Sequence, residues 1–207
     1  MKKRCAGFTL LELMAAMLII MVISGLVLGI YTYINAKANR TRAQAEIAML
    51  GTAISAYATD FGGPPQTAEC DSLSPVQHFE PRQYHKASKD LYKALSGDQN
   101  AKLNFTEKRY LKELDLKKIV KMNSNLTDVE YLKDPYSYSY GYSTAALKAE
   151  QDFKDAVRRD GRSAIRAADP VGFNASGYDL WSTAGNKQMP GTPEAKRLLW
   201  MEWIKNW

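Results

Sequence analysis

The sequence predicts an α+β protein: a long N-terminal α-helix packed on a small antiparallel β-sheet head that carries helical insertions. Three observations predict it. An uncharged run follows a basic head, an apolar stripe at helical spacing follows that run, and two later segments have strand character. The run is Leu13–Ile34, 22 residues without an ionisable side chain other than tyrosine, preceded by Lys2, Lys3 and Arg4. At a rise of about 1.5 Å per residue it covers roughly 33 Å, close to a hydrocarbon core.

Glu12 stands at the head of this run. A carboxylate inside a membrane helix costs on the order of 2.5–3.5 kcal/mol toward the centre, so such residues have partners. A chain cut after Gly7 would supply one, because the new α-amino group of Phe8 lies one helical turn from Glu12, on the same helix or on a neighbour in a stack of identical helices. The basic leader, Gly7 and Phe8-Thr9-Leu10-Leu11-Glu12, followed by an apolar helix, resembles the N-terminal signature of type IV pilin-like proteins, which include the pseudopilins of type II secretion. The resemblance implies that a prepilin peptidase cuts after Gly7 and methylates Phe8, and that Glu12 is needed for filament assembly. A secretory signal fits poorly, because its apolar region runs about 7–15 residues and Ala36-Lys37-Ala38 lies beyond a run long enough to span. The remaining alternative for this segment is an ordinary signal anchor.

The boundaries follow. Residues 1–7 form a leader peptide, 8–34 a transmembrane and assembly helix, 35–63 its amphipathic continuation, and 64–207 a globular head. Gly25 and Gly29 have the small-xxx-small spacing that lets helices approach closely. Past Ile34, Ile47, Leu50, Ile54, Tyr57 and Phe61 recur every three or four residues, which makes one apolar helical face. Gly62-Gly63-Pro64-Pro65 ends the helix, since glycine suits a C-terminal cap and proline cannot continue the ladder.

Net charge is +6, with 28 Lys and Arg against 22 Asp and Glu. Removing the three leader charges leaves 25 against 22, a mild excess, and no basic run interleaved with aromatics appears downstream. Nucleic acid is therefore not an expected partner. Lys and Arg are balanced on the two sides of the apolar run, three against three, so charge alone does not orient it. The small head and large C-terminal part, together with the resemblance, imply a cytoplasmic N-terminus in the bacterial inner membrane and a periplasmic head. Of two cysteines, Cys5 lies in the leader and Cys70 stays, either as a packed thiol or in an intermolecular bridge.

In the head, Gln66–Gln83 has no clear period. Tyr84–Leu95 and Thr106–Val120 read as helices, the second with a break near Asp115, part of an insertion over about 66–130. His78, His85, Glu80 and Cys70 match no metal-ligand spacing. Tyr136, Tyr138, Tyr140 and Tyr142 alternate with small residues, so period two predicts a strand with one aromatic face, packed on the helix stripe or open to a ligand. Ala145–Ala168 reads as helix interrupted at Asp160-Gly161, Asn174–Gly177 as a turn, and Tyr178–Ser182 as a strand. Thr192-Pro193-Glu194 starts a helix, with a cap, proline at the first position and an acid in the first turn. Trp200, Trp203 and Trp207 follow at spacings of three and four, a stripe that closes the core or touches a neighbouring subunit.

Leu132-Lys133-Asp134-Pro135-Tyr136-x-Tyr138-x-Tyr140, Gly177–Gly185 with Trp181 at its centre, and Trp203–Trp207 resemble the sheet and tail of G-type major pseudopilins. That family's head binds calcium through aspartates in the loop after the second of these strands. Here the loop reads Asn186-Lys187-Gln188 and Glu202 precedes the terminal block, so the oxygen ligands a hard cation needs are missing and no cofactor is expected. No phosphate loop, nucleophile–base set or paired-carboxylate motif is present, which argues against an enzyme. The expected partners are the membrane, a prepilin peptidase, other pilin or pseudopilin subunits and a secretion or pilus assembly platform. The expected role is a filament subunit, first a type II secretion pseudopilin. A minor type IV pilin of adhesion, motility or DNA uptake is the alternative, and a membrane-anchored binding domain that does not polymerise is the rival of another class.

Overall fold

The computed structural model describes residues 10–111, 116–160, 171–186 and 191–207, without the side chains of 26–30, 32, 116–117 and 160. It is α+β: a long N-terminal helix, helical insertions and two small antiparallel sheets, consistent with a pilin-like fold. Helix α1 (Leu10–Phe61) runs through two compact units, Met1–Asn39 and Arg40–Trp207. Alanine-rich sequence sustains it past Ile34, and Gly62 stops it in a left-handed turn at φ 79°, its N–H donating to Ala58 O.

Within the second unit, Ala43, Ile47, Leu50, Ala53 and Ile54 of α1 are buried in one core. Against them pack α2 (Ala68–Ser72), a 3₁₀ turn (Pro81–Tyr84) and α3 (His85–Ser96). Thr67 caps α2, its hydroxyl oxygen accepting from Cys70 N–H. Leu91, Tyr92 and Leu95 are the inward face of α3, and Gly97 at φ 72° closes it. A Cβ on Gly97 would lie 2.5 Å from Glu107 O, so glycine lets the next segment pass at backbone distance.

That segment departs from the expected helix over Thr106–Val120. The N–H groups of Thr106 and Glu107 donate to Gly97 O, and those of Tyr110 and Leu111 to Leu95 O, so they satisfy the end of α3 rather than a helix of their own. Among the described residues of this segment, helix appears in α4 (Leu116–Ile119), which runs into β1 (Val120–Met122), and residues 112–115 lie outside them. β2 (Val129–Leu132) pairs with β1 antiparallel, with Val120 opposite Leu132. Asn123 shapes the connection, accepting from Thr127 N–H through its side-chain oxygen at 2.9 Å.

The expected strand through the four tyrosines is also corrected. Asp134 Oδ1 accepts from Tyr136 N–H at 3.0 Å and Tyr138 N–H at 2.8 Å, Ser137 N–H donates to Asp134 O, and Ser137 sits at φ 70°. A buried carboxylate thus folds 134–138 into a turn, and strand β3 is only Gly141–Ser143. β4 (Asp179–Ser182) pairs antiparallel with β3 and with β5 (Ile204–Lys205), in the order β3-β4-β5. Between β3 and β4 lies α5 (Ala145–Asp160); the rest of the expected helix to Ala168 is outside the described residues.

Helix α6 (Pro193–Glu202) starts as the sequence indicates, with the Thr192 hydroxyl oxygen accepting from Ala195 N–H. It does not carry the three tryptophans as one helical stripe. The backbone turns extended at Trp203, with ψ 149°, because Ile204 and Lys205 pair with Ser182 and Trp181.

Candidate assembly helix and aromatic core

Gly7 and Phe8 lie outside the described residues. Glu12 lies near the start of the described part of α1 and is exposed. Around it the helix surface is apolar on every side. Leu11 is 78 % exposed and Ile23 55 %, and every residue from Met17 to Ile23 is among the exposed large hydrophobics. Seven consecutive residues cover nearly two turns, so no polar face remains. A helix apolar all round has to be covered by lipid or by other helices. Among the described residues no helix is long and apolar enough to cross a membrane. The stretch with described side chains ends at Gly25, and the 22-residue run continues through residues whose side chains are not described. A Cβ on Gly25 would meet nothing within 4 Å, so the site is open to a neighbouring helix. Gly29 also lies in α1.

The second cluster lies in the head. Tyr140 and Tyr142 are buried, Tyr136 and Tyr138 half-buried. Tyr140 OH donates to Glu46 Oε2 at 2.7 Å, and Arg42 Nε donates to Glu46 Oε1 at 2.7 Å. A buried carboxylate of α1 is thus matched by one cation and one phenol, as burial demands. Tyr142 OH donates to Pro65 O at 2.7 Å. Burial pushes both phenols far above the ordinary tyrosine range. Burial likewise raises Asp134, although Ser182 OH donates to it at 2.5 Å and two backbone N–H groups oppose the shift.

Trp181 is fully buried at the centre of the aromatic cluster. Trp203 stacks on it at 5.9 Å with the rings 4° apart, and Trp207 meets it edge-on at 5.9 Å. Trp200 stacks on Phe79 and donates its indole N–H to Pro75 O at 3.1 Å. Gly141 makes room for this, since a Cβ there would lie 2.1 Å from Trp181 Cε2. The three terminal tryptophans therefore meet one core although they do not share a helix. The sequence reading missed Phe79 and Phe173, which line the same cluster from segments without periodicity, and took Tyr84, which also lines it, as no more than the start of a helix.

The loop after β4 is described as far as Asn186. Asn186 turns its amide nitrogen to Glu202 Oε2 at 3.1 Å, and Arg40 donates to Glu202 O at 3.0 Å. Lys187 and Gln188 lie outside the described residues. Among the described residues no group of three His, Cys, Asp or Glu is placed to hold a metal ion.

Residues 2–28 match the family model described as the prokaryotic N-terminal methylation motif. This is the prepilin-type signature of type IV pilins and pseudopilins, a structural family. The motif implies processing by a prepilin peptidase and assembly with other pilin subunits, and it points to membrane anchoring through the N-terminal helix. No curated protein and no solved structure matches the chain.

Proposed function

We propose that this chain is a structural subunit of a pilus-like filament, made as a precursor, cut after Gly7, methylated on Phe8 and assembled through its N-terminal helix. The observation that carries the reading is the coincidence of the methylation motif at residues 2–28 with a helix start that is apolar on every side except for Glu12. Before assembly the helix rests in the inner membrane with its N-terminus cytoplasmic. A carboxylate at low dielectric is stabilised by a countercharge, and the Phe8 amine of the same or a neighbouring subunit supplies one. Glu12 thereby sets the register of each added helix, and Gly25 and Gly29 allow neighbours to approach.

Within filaments we assign the chain to type II secretion, as a pseudopilin with a periplasmic head that takes part in moving folded proteins outward. What supports this finer reading is that two of the blocks resembling G-type pseudopilins, residues 177–185 and 203–207, contain the paired strands β4 and β5, and the first, residues 132–140, leads directly into β3 of the same sheet. The alternative is a minor pilin of an adhesion, motility or DNA-uptake filament.

Intact-mass and N-terminal analysis of the protein extracted from native membranes tests the core of the proposal. The expected mature chain begins at methylated Phe8. A chain beginning at Met1, or near Lys37, overturns it.

A further inference from the structure

We infer that a cleft in the head, between the end of α1 and the segment after α3, binds a neutral saccharide, a chain of sugar rings with an apolar C–H face. The cavity is about 380 Å³, at the small end of the range of roughly 300–1,000 Å³ for ligand sites. The inference does not rest on the chain forming a filament.

The floor is aromatic. Tyr57 and Phe61, one helical turn apart on α1, stack at 4.4 Å with the rings 25° apart, and Tyr110 meets Tyr57 edge-on at 5.4 Å. Phe61 is 66 % exposed although one face is covered by Tyr57, so its other face is open to the cleft it lines. Water gains little on such a ring, and the C–H face of a pyranose suits it.

The walls are polar and balanced. Asp90 and Lys93 enter from α3, Gln99 and Glu107 from the segment held over Gly97. Asp90 accepts from Thr67 OH through Oδ2, and Glu107 from Gln99 through Oε2, so each carboxylate keeps an oxygen for a ligand. Lys108, also at the cleft, is engaged by Asp60, which accepts from Tyr110 OH as well. Lys93 forms no hydrogen bond or ion pair among the described residues and brings three donors. An anion would satisfy Lys93 and be repelled by Asp90 and Glu107, and a cation the reverse. A hydroxyl donates to a carboxylate and accepts from an ammonium at once, which is the chemistry both walls ask for.

The test is saturation-transfer NMR on the full chain in lauryldimethylamine oxide, a detergent without sugar, with chitotriose, cellotriose and maltotriose as probes. At least one probe is expected to show transfer to its ring C–H protons. Phe61→Ala is expected to weaken binding about two- to tenfold, the worth of one aromatic contact. Lys93→Met is expected to weaken it as well, and Phe105→Ala, an exposed ring outside the cleft, to leave it unchanged. Thermal unfolding of each variant checks that the head is intact. No transfer from any of the three probes, or transfer that survives both Phe61→Ala and Lys93→Met, overturns the inference.

Discussion

The two units use the same helix in opposite ways. From Leu10 to Ile23 the large apolar side chains are exposed, whereas between Ala43 and Ile54 the side chains of Ile47, Leu50 and Ile54 are buried in a core with Tyr140, Trp181 and Trp203, and Met49 stays outside it. Backbone and propensity are alike in both, so the difference lies in what surrounds the helix. The first part carries its hydrophobic surface outward for lipid or other helices, and the second has already found its partners within its own chain.

The sharpest way to break the comparison is Glu12→Leu. Under the proposed function it leaves the Phe8 amine without its carboxylate, and unpairing such a charge costs about 3–5 kcal/mol. Filament yield, read by shearing and immunoblot, is expected to fall to background. Leader cleavage and the melting temperature of the head stay at wild-type values. A variant that still assembles would reduce Glu12 to a passenger.

Trp203→Ala acts on the other unit. Removing a buried tryptophan costs about 3–5 kcal/mol, so the urea midpoint followed by tryptophan fluorescence is expected to drop, with processing unaffected. If unfolding is unchanged and assembly is lost, Trp203 belongs to a contact between subunits instead.

Asp134→Asn sharpens the account of the head by a smaller effect. Burial raises this carboxyl above its ordinary 3.8. Between that value and the raised one, the folded chain keeps a proton that the unfolded chain has released. Its contribution to stability therefore falls as pH rises through this window and is level above it. Urea unfolding from about pH 4 upward should show this fall in the native chain and a flatter profile in the variant. A neutral side chain can still accept from Tyr136 and Tyr138 N–H, so the turn is expected to persist.

Calcium is expected to do least. With Asn186 and Arg40 directed at Glu202, millimolar calcium should move the head's melting temperature by less than about 1 °C, because an ion that does not bind the native state does not stabilise it. A rise that saturates would restore the family's ion to this chain.

Much of the architecture is written in local signals. The glycine–proline stop after Phe61, the Thr192 cap and the strand at 179–182 each arise from neighbouring residues and are legible for that reason. So is Gly7 to Glu12, where a lone carboxylate in an apolar run stands out by its cost. The errors occur where a distant partner overrides a local period. Four alternating tyrosines read as a strand, but the backbone N–H groups of two of them turn to the Asp134 side chain. Trp200, Trp203 and Trp207 read as a helix, but pairing with β4 pulls the chain straight at the second of them. Thr106–Val120 read as a helix, while its first N–H groups serve the end of α3. The saccharide cleft has no signature at all, because its floor and walls come from four segments that meet only on folding.

Cys70 has a practical consequence for mapping neighbours. It is fully buried, and desolvation raises its thiol to about 12, so it stays protonated and out of reach of alkylating reagents. If Cys5 leaves with the leader, the mature subunit presents a chemically silent background. A single cysteine introduced on the outer face of α6, at Leu198 or Met201, can then be labelled or cross-linked without interference, and the bonds that form will report which surfaces adjoin in the assembled state.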